Sequence, residues 1–450
     1  MATESIKASR SSVMTRLSIM NFLQFFVWGS WFVAMASALP ANGMSNFISG
    51  TYSSAPLGAI FAPLFLGIIA DRLFPSQIIF GILFLIGGAF LAFAGMAAHA
   101  GNGSLMTKLI LGHMLCFMPS IGLGNSIGFS NLSLIEYPKI RVWGVVGWII
   151  AGLLVGFLSW SSSFNVLYLG ASAAILLGIY SFFLPRTPAP AKGEKIDLKA
   201  LLIVDAWKLL LKPNFLIFII CSGIICIPLA YYYNYGPDFL TKTGFTESAA
   251  TSTLGQMLEA VFMIMIPFFF RKLGVKWMIL IGMGAWVIRY LLFAYGAPDQ
   301  VTWMLLMGVA LHGICYDFFF VSGFMYTDAV APKKIRGQAQ SLLVFITQGV
   351  GMYIGVYLAG RKSAQLTLND KKDPASYATA LENAVGSKPE LSTLAKLTQM
   401  FKRELPESLN QELLGNAMNQ WKSFWMFPAC LLYTSPSPRD QRGSRMPSSA

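Results

Sequence analysis

The stretch TLGQMLEAVFMIMIPFFFRK, residues 253–272, carries an acid in the middle of an otherwise apolar run. Glu259 lies twelve residues before Arg271, the first cation that can mark a membrane edge. At about 1.5 Å of rise per residue the separation is roughly 18 Å, near the middle of a hydrocarbon layer about 30 Å thick. An ionised carboxylate there costs on the order of 2.5–3.5 kcal/mol on the mildest insertion scale. Acids at that depth face a cavity or a partner and often carry protons. Leaving water favours a carboxyl's neutral form, and returning water or a cation releases the proton. Coupling to a proton gradient needs such a group. The competing account is an acid that is permanently paired or neutral and only fixes helix packing. Asp317, mid-run in LHGICYDFFFVSGFMY (311–326), poses the same choice.

Other polar residues fall in the same apolar runs. Gln256 precedes Glu259 by three residues and shares its helix face. With Asn125 and Gln24 it offers the donors and acceptors a polar neutral ligand requires, or else interhelical hydrogen bonds. Arg141 opens a helix and either contacts substrate or marks the membrane edge, while Arg289 lies nearer the outer surface, where an arginine can snorkel. His312, five residues before Asp317, points elsewhere. AYYYNYGPDF (230–239) closes a helix at Gly236–Pro237 and reads as an interfacial aromatic belt, or as rings that stack on a flat substrate or line a gate. Trp28, Trp31, Trp143 and Trp148 are better placed for a planar ligand, with core packing as the alternative.

Apolar runs of about 20 residues recur from residue 17 onward, in a chain that is 55% hydrophobic and 12% charged, against about 25% charged in a soluble domain. The chain is therefore an all-α polytopic membrane protein. Helices are expected at 17–39, 48–70, 76–98, 105–134, 140–160, 164–184, 214–240, 248–270, 275–296, 301–328, 337–360 and 421–433. The first follows a basic start without a cleavage site and reads as a retained helix rather than a signal peptide. Loops on one side then hold eighteen basic residues, against Lys108 and Lys242 in the short loops opposite. The positive-inside rule puts the N-terminus and the 185–213 loop in the cytoplasm, at a plasma membrane (the inner membrane in a bacterium). The net charge of +13 thus reflects topology rather than nucleic-acid binding. The five cysteines all lie in apolar segments and read as small core residues. No phosphate-binding loop is present, Gly122, Gly124 and Gly128 read as close packing, and three histidines without metal spacing give no metal site. No enzyme, cofactor or metal is expected.

Residues 185–213 are Pro-rich and then basic, and divide the chain into halves at 1–184 and 214–433. The halves resemble each other: ADRL (70–73) lies 200 residues before FRKL (270–273), and PKIRVWG (138–144) resembles PKKIRGQ (332–338). Two six-helix units in the same orientation, joined by a cytoplasmic connector, are the arrangement of major facilitator transporters. GIIADR (67–72) resembles that superfamily's loop motif, with Asp71 and Arg72 able to bridge helix ends. Residues 361–420 read as an external insertion. The last span, 421–433, is too short to cross a bilayer, and the polar, Pro/Ser-rich tail 434–450 reads as non-native.

FLQFFVWGSW (22–31), MPSIGLGNSIGF (118–129), IRVWG (140–144), GQMLEAVFMIMIPFF (255–269), WVIRYLLFAYG (286–296) and YDFFFVSG (316–323) together resemble the nucleoside:proton symporters of the major facilitator superfamily, over about residues 17–360. The resemblance implies a 12-helix fold importing a nucleoside with a proton. It places Arg141, Trp148, Tyr233, Gln256, Glu259, His312 and Tyr316 around the substrate, and makes Glu259 and Asp317 the acids for coupling. Asp71, Arg72 and Arg289 are left to gating or structural roles. The sequence departs from the family at Val145, where a hydroxyl can stand, at His312, where a phenol is expected, and at Ala230 and Tyr233, where amides are expected. The partners implied are a small nucleoside, protons and lipid, with a monomeric chain. The rivals are a symporter for a sugar or other polar solute on the same fold, and a transporter-like sensor or scaffold that does not transport.

Overall fold

A computed structural model describes residues 2–65, 74–133, 136–188, 203–332, 335–366, 376–385, 394–396 and 400–433. Asp71 and Arg72, residues 189–202 of the 185–213 connector and the 434–450 tail lie outside the described residues. In lipid every backbone polar group needs an internal partner, which leaves the helix as the default for each apolar run. The first half comprises α1 (Ala2–Trp31), α2 (Met35–Ala41), α3 (Ile48–Phe65), α4 (Ser76–His99), α5 (Gly103–Asn131), α6 (Tyr137–Phe157) and α7 (Asn165–Tyr180). The second comprises α8 (Pro213–Lys242), α9 (Ser248–Gly296), α10 (Thr302–Val330), α11 (Arg336–Ser363), α12 (Tyr377–Val385) and α13 (Gln411–Tyr433). Among the described residues nine helices are long and apolar enough to cross a membrane, and no strand occurs beyond one isolated bridge, Phe245 with Arg403. One of the nine, α9, is broken at Gly274, whose φ of 69° favours glycine, into two spans. With α3 and α13 added, the arrangement is consistent with the twelve expected spans.

Within the first half α1 packs on α6 and α7, α4 on α5 and α7, and α3 on α5. In the second, α8 packs on α11 and α13, and α9 on α10 and α13. Across the halves α3 meets α11 and α6 meets the start of α9. The second and fifth helices of one half thus meet the fifth and second of the other, as a repeat related by two-fold pseudosymmetry requires.

Contacts between the halves gather at the end of the bundle farthest from the N-terminus. Ser37 Oγ on α2 lies 2.8 Å from Ser248 Oγ on α9, and Thr241 Oγ1 donates to Ser37 Oγ at 3.4 Å. The Ala249 backbone N–H donates to Ser161 Oγ at 3.4 Å. At the other end Arg10 grips Glu136 with two bonds of 2.8 and 2.6 Å, tying the start of α1 to the start of α6. These bonds and two more from Ser133 hold the Glu136 carboxyl well below its usual range, at about 2. A depressed carboxyl contributes to stability above its unfolded pKa and loses that contribution as pH falls through the folded value. The Arg10–Glu136 tie therefore persists across the whole neutral range. Glu136→Gln is expected to leave the shape of the pH–uptake profile unchanged, checked by uptake from about pH 5 to 8.

Three expectations about the second half need correction. The helix carrying AYYYNYGPDF does not end at Gly236–Pro237 but runs through both to Lys242. Its tyrosines form no interfacial belt: Tyr231, Tyr232 and Tyr235 are buried, Tyr231 and Tyr235 against Phe424 and Tyr232 against Phe293. The final helix is not a thirteen-residue stub either. It begins at Gln411 and spans 23 residues, about 34 Å at helical rise. Leu414, Ala417, Met418, Trp421 and Trp425 form its buried stripe, so the insertion is shorter than 361–420 at both ends.

That insertion contains α12 and docks on the far end of its own half. Arg403 Nε donates to Thr243 O at 2.7 Å, and one terminal nitrogen donates to Gln300 O and Thr302 Oγ1, both at 2.9 Å. The other terminal nitrogen bonds Gln300 Oε1. Thr246 N–H donates to Lys402 O at 3.1 Å, and Tyr377 O–H to Lys242 O at 2.6 Å. One guanidinium thus joins the α8–α9 turn to the α9–α10 turn. Arg403→Ala is expected to destabilise the protein by about 2 kcal/mol, since charge-assisted bonds are lost from a half-buried site. The check is a lower thermal midpoint in detergent.

Candidate functional site

The site begins where α1 breaks. Residues 32–34 interrupt the helix between α1 and α2, and the Tyr52 hydroxyl donates to the Phe32 carbonyl freed there. Phe32 is thereby aimed between the halves, with its ring 5.8 Å from Tyr233 on α8 and 6.4 Å from Trp148 on α6. Trp148 also meets Trp28 edge-on at 5.3 Å. Tyr233 meets His312 at 6.0 Å, and His312 meets Tyr316 at 5.8 Å. A continuous path of rings, Trp148–Phe32–Tyr233–His312–Tyr316, therefore crosses from one half to the other.

Glu259 joins this path at His312, its Oε2 3.8 Å from the imidazole Nε2 and its side chain 14% exposed. Glycine makes that approach possible. A Cβ on Gly313 would lie 2.5 Å from the Glu259 backbone nitrogen, and one on Gly255 would lie 2.9 Å from His312 Cβ. Only with glycine at both positions can α10 settle on α9 this closely. Gln256, one turn before Glu259, is buried, and its Oε1 has no partner among the described residues. Arg141 stacks on Phe25 at 4.2 Å, and its charge acts on both Glu259 and Tyr316 from the first half.

Asp317 is fully buried, and neither carboxyl oxygen has a hydrogen-bond partner among the described residues. It opens a π-helical segment, Asp317–Val321, and a second such segment, Phe345–Gly351, lies in α11. Such segments are rare and collect at functional sites.

Arg289 does not snorkel. It is fully buried, its guanidinium 3.4 Å from the Tyr232 ring centre and one terminal nitrogen 3.0 Å from His312 Nδ1. Hydropathy places an arginine near a membrane edge but says nothing of a partner on the next helix. Nothing singles out Phe32, and Tyr232 stands out only as one ring of AYYYNYGPDF. The only signal for Phe32 was its place one helical turn after Trp28. Gln24 and Asn125 take the interhelical role: Gln24 Nε2 donates to Ser120 Oγ at 3.1 Å, and Asn125 Oδ1 accepts from the Tyr137 hydroxyl at 2.6 Å. Trp31 packs inside the first half against His113, while Trp143 is exposed away from the rings.

The sequence profile of the nucleoside H+ symporter family matches residues 11–385. The chain belongs to that family. The putative nucleoside transporter YegT of Escherichia coli K12 is 38% identical over 357 residues, covering 77% of this chain and 83% of that protein. The xanthosine permease of Escherichia coli K12 is 31% identical over 383 residues, covering 80% of this chain and 90% of that one. Two crystal structures of the nucleoside transporter NupG superpose with TM-scores of 0.76 and 0.72 at 25% identity, over 94% of this chain and 97% of theirs. A D-xylose-proton symporter at 13% identity and a TM-score of 0.60 shares the fold alone. In this member of the nucleoside H+ symporter family, Tyr233 links His312, with Glu259 beside it, to the rings of Phe32 and Trp148 from the first half.

Proposed function

We propose that this protein imports a nucleoside together with a proton, rocking its two halves about the ring path. One observation carries the reading: Glu259, the partly exposed acid of α9, lies 3.8 Å from His312 on the ring path that joins the two halves. A carboxyl so placed changes surroundings whenever the halves move. Trp148, Tyr233, His312 and Tyr316 offer flat faces for a base, and Arg141, Gln256 and Glu259 offer charge and hydrogen bonds for the sugar. Asp317 is the second acid available for coupling. The N-terminus lies in the cytoplasm, so the seam of Ser37, Ser161 and Ser248 closes the external end. The protein works as a monomer in a lipid bilayer, at the inner membrane of a bacterium.

The test is uptake of labelled uridine, adenosine and a hexose by cells expressing the protein, with and without a protonophore. Nucleoside uptake abolished by the protonophore is the expected result. Hexose uptake without nucleoside uptake would overturn the substrate, and uptake indifferent to the protonophore would overturn the coupling.

A further inference from the structure

We propose that Arg289 is a positioning residue that locks His312 as a neutral imidazole with its single proton on Nε2, facing Glu259. The inference rests on the reading of Glu259 as the proton carrier only for its consequence, not for its geometry.

The lock follows from donor chemistry. A guanidinium carries N–H donors and no acceptor, and stays charged in proteins. With one terminal nitrogen of Arg289 3.0 Å from His312 Nδ1, that ring nitrogen has to present its lone pair. The imidazole proton then sits on Nε2, the nitrogen turned toward Glu259 Oε2 at 3.8 Å. That separation is too long for a direct hydrogen bond and suits a bridging water or a substrate hydroxyl.

Arg289 is itself held in place. Its guanidinium carbon lies 3.4 Å from the ring centre of Tyr232, 5.5 Å from that of Trp286 and 5.8 Å from that of Phe293. Among the described residues it pairs with no carboxylate, so the rings, the Cys315 thiol and the His312 lone pair are what receive its charge. The other groups facing His312 are Tyr232 and Tyr233 on α8 and Tyr316 on its own helix, with Glu259 and Arg289 both from α9. While the Arg289 bond stands, a second proton has no place on Nδ1. His312 is thereby removed from the groups that can carry the transported proton, and serves as a fixed donor beside the one that does.

His113 supplies a built-in control. Its Nδ1 lies 2.9 Å from the Gly87 carbonyl, an acceptor only, so its proton must sit on Nδ1. The two buried histidines should therefore show opposite tautomers. The protein has three histidines, so 15N-histidine NMR of the intact transporter in lipid resolves them, with His312→Gln assigning the signal. The expected result is an Nε2–H neutral ring for His312 from about pH 5 to 8, and an Nδ1–H ring for His113. An Nδ1–H or doubly protonated His312 in that range would overturn the proposal, whether or not transport is proton-coupled.

Transport gives a second measurement. Gln places an amide donor near the position of Nε2, and Asn places one near Nδ1. His312→Asn is expected to raise KM about tenfold more than His312→Gln, because a buried site loses its donor. Arg289→Gln is expected to add a titration to the pH–uptake profile that vanishes in the Arg289→Gln/His312→Gln double variant. An equal loss in the Asn and Gln variants would overturn the role of Nε2–H. A titration that survives in the double variant would show that Arg289 does not act through His312.

Discussion

Replacing Glu259 by Gln is expected to abolish accumulation of nucleoside while leaving the protein folded and able to exchange nucleoside down its gradient. Gln keeps the length and the hydrogen-bonding capacity of the side chain and removes only the proton that comes and goes. The packing around it changes little, because Gly313 and Gly255 fix the α9–α10 approach through backbone contacts. The energetic effect is large. Each pH unit across the membrane is worth about 1.4 kcal/mol per proton, so a two-unit gradient supports about 100-fold accumulation in a one-to-one symporter. In Glu259→Gln that ratio should fall to about one, and the pH dependence of KM should flatten. The measurement is the internal-to-external nucleoside ratio in vesicles with an imposed pH gradient, beside counterflow to show that the variant still moves substrate. Full accumulation by Glu259→Gln would move the coupling role to Asp317, the only other acid at this depth near the ring path among the described residues. Asp317 has no hydrogen-bond partner among the described residues, so a charge on it needs water or a cation that another conformation supplies.

The spans were legible because lipid leaves the backbone little choice, and a run of apolar residues ending in Arg or Lys fixes its own ends. Glu259 stood out for the same reason, as a cost the chain had to justify. What hydropathy cannot show is which way a polar residue turns once inside. Nothing in WVIRYLLFAYG marks a partner for Arg289 on α10, so the stretch suggests only a snorkelling or structural arginine, and His312 enters the substrate set through the family resemblance alone, since it does not share a face with Asp317. The approach of His312 to Glu259 depends on Gly255 and Gly313, two small residues on different helices whose effect appears only when those helices pack. The tyrosines of α8 misled in the opposite sense, since interfacial and buried aromatics look alike in sequence until α13 is seen to cover them. The start of α13 was hidden by polar residues between Gln411 and Gln420. Its stripe of Leu414, Met418, Trp421 and Trp425 repeats at helical spacing but is too diluted for a hydropathy window.

Gly156→Leu is expected to reduce uptake about fivefold or more by preventing the halves from closing at the end of the bundle farthest from the N-terminus. Along α6, Gly152 and Gly156 stand one turn apart and face the first turns of α9, where Ala249, Ala250 and Thr253 are also small. A Cβ on Gly156 would lie 2.5 Å from Ala250 Cβ, and one on Gly152 would run into Thr253 Cγ2. Contacts that close are essentially never made, so helices with larger residues here have to separate. Two neighbouring bonds depend on the same approach, Ser37 to Ser248 at 2.8 Å and the Ala249 N–H to Ser161 at 3.4 Å. Overpacking of this kind costs about 1–3 kcal/mol. At about 1.4 kcal/mol per factor of ten, that takes roughly 5- to 140-fold from the closed population. Only the closed state suffers, because a leucine on α6 meets nothing once α9 has swung away. Substrate binding from outside should therefore survive while its delivery inside fails, which separates this variant from a misfolded one. Ser37→Cys reports the difference: buried in the seam, it should resist a membrane-impermeant maleimide in the parent and react in the Gly156→Leu background. Gly156→Ala, which adds one methyl at the same place, should show the same change to a smaller degree. Normal uptake by Gly156→Leu with Ser37→Cys still protected would mean that α6 and α9 close by a different contact.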